Sequence, residues 1–257
     1  GARCTTSPCG SSPAWRRVAS SVSDVFLVLT CEHGGRDVPA RWADRFDSPA
    51  ARHALASHRG WDPGSLEVGT ALASRLASPL VVQTVTRLLV ECNRSLDHPA
   101  LWSEFTEGLP DSEKREILAR YWQAHRDAVR EAVRSRPSGL VAHVGVHSFT
   151  PVWKGRRRST DVGILYDPAR PVEAPLAATW TAALRRDPVT RSLTVHRNRP
   201  YRGWTDGLTT ALRSELPPER YAGIELEISQ ALVPAAPALV EALARTLAAS
   251  LPVRAGR

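Results

Sequence analysis

The sequence has few cysteines and no long apolar run, and each shortage excludes a class of protein. Four cysteines in 257 residues do not make a disulfide framework for so long a chain. Cys31 and Cys92 end apolar segments and are predicted to be buried free thiols. No apolar run reaches the length of a transmembrane helix, and no lipidation signal or apolar signal-peptide core opens the chain. The default expectation is a cytoplasmic protein that does not associate with membranes.

Lysine is also scarce, because Lys114 and Lys154 are the only two, and the formal charge of +8 therefore rests on arginine. A positive charge of this size raises nucleic acid as a partner. The arginines are spread along the chain, however, and together with 20 prolines they are more typical of a GC-rich coding bias than of a phosphate-binding face. Nucleic acid is therefore not the expected partner, and an arginine-rich nucleic-acid-binding module is the non-enzymatic alternative.

Apolar runs of strand length alternate with segments of helical period. The predicted strands are 25–30, 80–85, 88–93, 140–148, 161–167, 192–198 and 221–229. The predicted helices are 65–77, about 111–134, 173–186, 206–214 and 234–250. This order predicts an α/β protein, a single-domain three-layer α/β/α sandwich with a mostly parallel or mixed sheet. Residues 1–22 are expected to be a flexible lead-in, and residues 23–257 to form the one domain.

Polar residues collect where the predicted strands end, in "CEHGGRD", "ECNRS", "HVGVHSF", "VHRNRPY" and "ELEIS". Ligands of open α/β sheets bind outside the carboxyl ends of the strands. This convergence predicts a functional site at that edge of the sheet.

Two of these segments contain a histidine at the strand end, His33 and His147, that is suited to bind a metal. Two histidines and one carboxylate form the usual three-ligand set of a catalytic zinc site, which leaves a position open for water. Asp62 in "HRGWDPG" is the best third ligand, with His58 nearby as a competitor. The simpler interpretations are a turn histidine at His33 and a helix N-cap at Asp62.

Glu225 and Glu227 in "ELEIS" lie on one face of the same strand, since residues i and i+2 share a side. A core strand with two carboxylates indicates a general base near a metal, and Glu227, nearer the strand end, is the preferred candidate. Glu225 is the alternative. An edge strand with a solvated face would explain both residues without catalysis.

Asn93 and Arg94 lie at the end of another predicted strand, and an arginine fork is suited to a substrate carboxylate. An ion pair of Arg94 with Glu91 or Asp97 would fit the spacing equally well.

The loop "HRNRPYRGW" offers Asn198 and Tyr201 as residues lining a pocket for a polar acyl amino acid. An ordinary surface loop would also fit its composition.

These segments together resemble the N-formylglutamate amidohydrolase family, whose fold is similar to that of zinc carboxypeptidases and aspartoacylases, a phosphorylase/hydrolase-like sandwich. The matching pieces follow the family's order over residues 25–232: "CEHGGRDVP", "HRGWDPG", "TRLLVECNRS", "YWQAHRDAV", "HVGVHSFTP", "DVGILYD", "NRPYRGW" and "GIELEISQALV". The resemblance implies a metal-dependent hydrolase of the C–N bond of an N-acyl amino acid, with a metal-bound water as nucleophile. It implies that His33 and His147 are metal ligands and that Asn93 and Arg94 contact the substrate carboxylate. It also implies that Glu227 is the general base.

The chain departs from the wider carboxypeptidase pattern at one position. That pattern has a glutamate three residues after the first histidine, where this sequence has Arg36. By resemblance to the aspartate-containing segment of the amidohydrolases, Asp62 completes the set for zinc or another divalent metal. His125 falls where the family also carries a histidine, and is predicted to pack or to hydrogen-bond behind a ligand.

Three further interpretations stay open at this point. One is a carboxypeptidase-like or other amidase of the same fold. Another uses no metal, because Cys31 and His33 share a strand face and could form a nucleophile–base pair. The third is the nucleic-acid-binding module. For the enzyme, the expected partner is a small-molecule N-acyl amino acid, and the sequence specifies neither the acyl group nor the oligomeric state.

Overall fold

The computed structural model describes residues 25–136 and 138–251, without the side chains of residues 234–236. The predicted lead-in, residues 1–22, lies outside the described residues, as do Cys4 and Cys9. Cys31 and Cys92 are buried free thiols, as predicted.

The described strands are β1 (Val25–Cys31), β2 (Leu80–Val82), β3 (Leu140–Phe149), β4 (Val152–Trp153), β5 (Arg156–Arg157), β6 (Val162–Leu165), β7 (Val195–Arg197) and β8 (Tyr221–Ser229). Six of them form a mixed, mostly parallel sheet in the order β2-β1-β3-β8-β6-β7. Strands β2, β1, β3 and β8 are parallel, whereas β6 pairs antiparallel with β8 and parallel with β7. Strands β4 and β5 form a separate antiparallel hairpin.

Helices cover both faces of the sheet, which confirms the predicted α/β sandwich. The described α-helices are α1 (Pro49–Ala56), α2 (Ser65–Leu76), α3 (Asp111–Ile117), α4 (Ala124–Arg134), α5 (Glu173–Arg186), α6 (Leu208–Glu215) and α7 (Ala236–Ser250). Apolar side chains of α2, α5 and α7 share one core cluster with the strands, and those of α4 and α6 share another on the opposite face. None of the described helices is both long enough and apolar enough to span a membrane.

Strand β3 is buried along its whole length, which explains why its sequence is almost continuously apolar. Its alternate residues Val144 and Val146 face the cluster under α2, α5 and α7. His143 belongs to the other set, and its ring nitrogens lie 2.8 Å from Thr30 Oγ1 and 2.6 Å from Tyr221 Oη. Both polar atoms of this fully buried ring are therefore satisfied, and His143 is part of the core rather than of the site.

The predicted strand at 88–93 is wrong, because the structure has turns there. The Leu89 amide donates to the Thr86 carbonyl at 2.9 Å, which is a turn contact rather than a sheet contact. The apolar side chains of this segment are buried in a separate cluster with Trp42 and Phe46. A short apolar run indicates that a segment is buried but not that it is a strand. Here the side chains are buried in this cluster, and the segment does not pair with any of the described strands.

Several other boundaries differ from the prediction. Strands β2, β6 and β7 are shorter than the segments predicted for them, and α1 and the β4–β5 hairpin were not predicted. The long helix predicted at 111–134 is present, but a π-helical turn, Leu118–Gln123, joins α3 to α4.

Candidate metal centre and active site

The site lies where the carboxyl ends of β1, β3 and β8 meet side by side. His33 lies two residues after the end of β1, and His147 of β3 is the register partner of Glu227 of β8. The predicted convergence therefore holds for these three strands. Strand β7 runs in the opposite direction to them, so the segment "VHRNRPY" does not end at this edge. Its loop returns by folding across β6, where Arg199 closely approaches Gly163.

The structure brings the three predicted metal ligands together. The Nδ1 atoms of His33 and His147 lie 3.3 and 3.1 Å from the same oxygen of Asp62, Oδ2. One ligand atom from each residue falls within 4.8 Å of the others, and all three side chains are buried. The three side chains are therefore close enough together to hold one cation.

Asp62 is positioned by backbone hydrogen bonds rather than by capping a helix. Its amide donates to the His33 carbonyl at 3.0 Å, and its own carbonyl accepts from Ser65 at 3.0 Å. The N-cap of α2 is Gly64, which takes the left-handed φ of 84°. The N-cap interpretation of Asp62 is therefore wrong, and its carboxylate faces the two imidazoles. His58 lies elsewhere in the cavity, with its ring against Trp153.

Each of the two imidazoles also has a carboxylate at its other nitrogen. Nε2 of His33 contacts Glu91 Oε1, and Nε2 of His147 lies 3.0 Å from Glu32 Oε2. A carboxylate behind a metal-ligating histidine fixes the ring orientation and raises the basicity of the ligand nitrogen. Glu32 and Glu91 therefore occupy the places expected of residues that support a metal site.

Sequence reasoning missed the three residues that complete this cluster, namely Glu32, Arg87 and Glu91. Arg87 donates from Nε to Glu91 at 2.6 Å and from Nη1 to Asp62 at 3.2 Å. The spacing of Arg87 and Glu91, four residues apart, was a usable signal. It was obscured because the segment was predicted to be a strand.

The cluster carries more negative than positive charge. Burial alone would raise the pKa of Glu32, Asp62 and Glu91. The neighbouring histidines outweigh this effect and hold the pKa of all three carboxyls below the usual value. Arg87 adds to the lowering at Asp62 and Glu91. Burial alone would lower the pKa of His147, but Asp62 and Glu32 raise it well above the ordinary value. Three buried carboxylates thus compete for the positive charge of Arg87 and the imidazoles. A divalent cation between the Nδ1 atoms and Asp62 fits this donor set.

His125 lies behind the cluster, as predicted, and not among the ligands. Its Nε2 is 3.7 Å from Glu32 Oε1, too long for a hydrogen bond, and its ring is buried. Neither ring nitrogen has a hydrogen-bond partner within the described part of the chain. His125 therefore packs against the carboxylate that contacts His147.

The two glutamates of β8 have different environments. Glu225 accepts a hydrogen bond from Thr209 at 3.0 Å. Glu227 is buried, and its Oε2 has no hydrogen-bond partner among the residues described. Burial, assisted by the charges of Asp62 and Glu225, raises the pKa of Glu227 to about 8. Since β8 is an interior strand of the sheet, the edge-strand interpretation of both residues is wrong.

A cavity of about 670 Å³ opens over this cluster, and His33, Asp62, His147 and Glu227 contribute to its lining. Asn93, Arg94 and Tyr201 also line it. Asn93 Oδ1 accepts from the Leu208 amide at 2.7 Å, and Arg94 Nη1 donates to the Asp206 carbonyl. These contacts hold the two side chains against the start of α6.

Arg94 does not form the ion pairs that its spacing allowed. Among the described residues, its guanidinium bonds to the carbonyls of Asn93 and Asp206 rather than to Glu91 or Asp97. It is therefore an anchored cation at the cavity wall.

Asn198 lies outside the cavity lining and organises its own loop. Its backbone has a φ of 52°, and its Oδ1 accepts from the amides of Tyr166 and Gly203 at 2.9 and 3.2 Å. Tyr201, by contrast, is in the lining, and its hydroxyl accepts from Arg158 at 3.0 Å. The structure thus places one of the two predicted pocket residues of this loop at the cavity.

The thiol of Cys31 is not arranged as a nucleophile. Its sulfur lies 3.3 Å from Ser65 Oγ rather than against His33, and burial raises the pKa of the thiol to about 12. A thiol of this kind stays protonated and unreactive at neutral pH. The geometry therefore disfavours the Cys31–His33 pair.

Comparisons with known proteins agree with this geometry. A family model described as N-formylglutamate amidohydrolase matches residues 25–233. A gene product of Agrobacterium tumefaciens of solved structure aligns with a TM-score of 0.76 at 28% identity, over 91% of this chain and 93% of that one. The structure of an N-formylglutamate amidohydrolase from Ralstonia eutropha JMP134 aligns with a TM-score of 0.61 at 21% identity, over 90% of this chain and 95% of that one. A search of curated proteins found no match.

The two structural alignments show a shared fold over nearly the whole of each chain. The family model covers the elements that carry the candidate site. The matched range includes His33, Asp62, His147 and Glu227. Because this match extends over most of the sequence, the chain belongs to the N-formylglutamate amidohydrolase family.

Proposed function

We propose that this protein is a metal-dependent amidohydrolase that cleaves the amide C–N bond of an N-formyl or other N-acyl amino acid. The observation that supports this best is the buried set of His33, Asp62 and His147 at the base of a cavity, with further carboxylates behind both histidines. Zinc or another divalent metal fits this set of nitrogen and oxygen donors.

The cation would be held by Nδ1 of His33, Nδ1 of His147 and a carboxylate oxygen of Asp62. Three protein ligands leave coordination positions open, which distinguishes catalytic from structural zinc sites. When bound, the cation supplies Lewis-acid polarisation of a carbonyl and of water, and its positive charge lowers the pKa of Glu227 so that the carboxyl is ionised and can accept a proton.

Glu227 is proposed to transfer the proton. Its carboxylate accepts a proton from the attacking water as the new C–O bond forms, and passes it to the leaving nitrogen as the C–N bond breaks. The products are the carboxylate of the acyl group and the free amino acid. Glu227 lines the cavity, and its Oε2 is available for this role because no described residue hydrogen-bonds to it.

Asn93 and Arg94 are proposed to hold the substrate carboxylate. Arg94 is fixed by the Asp206 carbonyl and Asn93 by the Leu208 amide, so neither has to be ordered on binding. Asn198 is proposed to act indirectly, because its side chain orders the loop that places Tyr201 at the cavity.

A chelation experiment tests this function. The purified chain is assayed against N-formyl, N-acetyl and larger N-acyl amino acids, before and after chelator treatment, and again after zinc, manganese or cobalt is restored. Hydrolysis that chelation abolishes and one metal restores is the expected result. Hydrolysis that survives complete metal removal would contradict the proposal, as would inactivity on the whole panel with one equivalent of metal bound.

A further inference from the structure

The outer part of the cavity has an aromatic wall that the metal chemistry does not need. Trp153 on the β4–β5 hairpin and Tyr201 on the loop after β7 both line the cavity. Their exposed fractions are 48% and 45%, which is unusual for such large rings. The ring of His58 meets Trp153 edge-on, with 6.0 Å between the centroids.

The hairpin holds Trp153 in a fixed position. Trp153 pairs with Arg156, and the two residues between them, Lys154 and Gly155, have φ values of 49° and 73°. Positive φ at both positions is the signature of a tight two-residue hairpin turn, which matches the strand twist. The ring is thus presented by a tight hairpin rather than by a long loop.

Arg158 links the two exposed rings. Its guanidinium carbon lies 5.3 Å from the Trp153 ring centre and 5.1 Å from that of Tyr201, and it donates to the Tyr201 hydroxyl at 3.0 Å. Stacking of this kind holds aromatic rings in position before a ligand arrives. The wall is therefore preorganised, which lowers the entropic cost of binding a further apolar group.

This wall and the reacting groups belong to the same cavity. Trp153 and Tyr201 line it together with Asp62 and Glu227. The cavity volume of about 670 Å³ falls in the range of sites that enclose ligands of about drug size. A formyl group on a single amino acid would leave most of that space, and both rings, in contact with water.

We propose that Trp153, Tyr201 and His58 form a subsite for a bulky apolar acyl group about the size of an aromatic ring, so that the enzyme prefers N-arylacyl over N-formyl amino acids. The inference rests on the proposed amide hydrolysis, and assigns the acyl side of the substrate. Arg94, anchored at the start of α6, is the proposed contact for the carboxylate of the amino-acid part of the substrate. The aromatic wall includes Trp153 of the hairpin after β3 and is therefore assigned to the acyl part.

The test compares N-phenylacetyl and N-formyl derivatives of one amino acid on the metal-loaded full chain. The variants are Trp153→Ala and, as a matched control, Trp204→Ala, because Trp204 is 41% exposed but lies outside the cavity lining. Wild type should show a kcat/KM for the phenylacetyl compound at least about tenfold above that for the formyl compound. W153A should remove this preference while leaving hydrolysis of the formyl compound nearly unchanged, and W204A should behave as wild type.

Calorimetric titration with phenylacetate separates failure of the subsite from failure of the proposed function, because binding needs no turnover. Saturable binding that W153A weakens about tenfold and W204A does not would support the subsite even in a chain that hydrolyses no amide. The subsite is overturned if wild type prefers the formyl compound, or if W153A lowers kcat/KM for both compounds equally. Absence of turnover on every amide would instead contradict the proposed function.

Discussion

At the scale of single residues, the site is defined by what surrounds each imidazole. His33 and His147 share Asp62 at their Nδ1 atoms and meet separate carboxylates, Glu91 and Glu32, at their Nε2 atoms. A neutral imidazole has one N–H donor, so carboxylates at both nitrogens of two rings call for additional positive charge, which a cation between the Nδ1 atoms would supply in place of protons on the rings.

The first prediction at this scale concerns Glu227→Gln. The variant keeps the shape of the side chain but cannot carry a proton from water to the leaving nitrogen, so turnover should fall by roughly 10²–10⁴-fold. Metal content should stay at one equivalent, because Glu227 is not among the proposed ligands. Steady-state kinetics with elemental analysis measure both quantities. Near-normal turnover in E227Q, together with an inactive E225Q, would transfer the role to Glu225.

A second prediction concerns the carboxylate behind His33. Glu91→Gln removes the negative charge at Nε2 and should weaken metal binding by about 10- to 100-fold. Competition with a chromophoric chelator gives the affinity. Glu241→Gln is the matched control, because that carboxylate pairs with Arg75 on the surface, away from the site. Equal affinities in E91Q and E241Q would show that Glu91 does not support the metal.

Much of the candidate site could be proposed from the sequence. His33, Asp62, His147 and Glu227 were identified because each stands beside a strand end, or in a glycine- and proline-rich turn, with a side chain suited to metal chemistry. Glu32 and Glu91 were not, because a carboxylate that supports a histidine has no spacing rule of its own. Its partner is set by the folded chain, 58 residues away for Glu91 and His33.

At the scale of elements, the loop after β7 begins at the edge of the sheet opposite to the site and has to return to reach it. Strand β7 runs opposite to β3 and β8, so its loop must cross β6 to bring Tyr201 back. Gly163 permits this crossing, because a Cβ at that position would lie 2.1 Å from the Arg199 carbonyl oxygen.

Gly163→Ala should therefore displace the loop and destabilise the fold by about 1–3 kcal/mol. The reason is that backbone, and not a flexible side-chain tip, occupies the space. Chemical unfolding measures the loss, and kcat/KM on the preferred substrate should fall as Tyr201 moves. Gly108→Ala is the control, since a Cβ there would meet no heavy atom within 4 Å. A G163A protein as stable and active as G108A would contradict this account of the crossing.

The element pattern was largely predictable, and the segment at 88–93 shows why one predicted strand is absent. Helices α2 and α5 and strands β3 and β8 were predicted almost to the residue, because each is long and has a consistent period. The segment at 88–93 is short and apolar on all sides, and such a run is equally compatible with a strand and with turns buried under aromatic rings.

At the scale of the whole molecule, the sheet is held by a core that includes a buried histidine. His143 contacts Thr30 and Tyr221 on neighbouring strands and is fully enclosed. Burial lowers the pKa of His143 to about 4. The strand order and the reversal at β6 were not predictable, since pairing depends on contacts between distant segments rather than on local pattern.

The lowered pKa of His143 predicts acid sensitivity with a defined sign. The unfolded chain takes up a proton at this residue below a pH of about 6.5, whereas the folded chain does so only near 4, so folded stability falls between these values as pH falls. The loss should be on the order of 3 kcal/mol. Urea unfolding of metal-free wild type and His143→Phe measures it. The stability advantage of wild type should shrink as pH falls, and a constant difference from pH 7 to 4 would contradict the prediction.

The most direct test of the account is a calorimetric titration of chelator-treated protein with zinc. Wild type should bind one equivalent tightly, and Asp62→Asn and His147→Gln should each weaken binding by at least about a hundredfold while keeping the fold intact by circular dichroism. Absence of stoichiometric binding in a folded wild-type protein, or affinity that neither substitution changes, would contradict the claim that two imidazoles and one carboxylate hold a single cation.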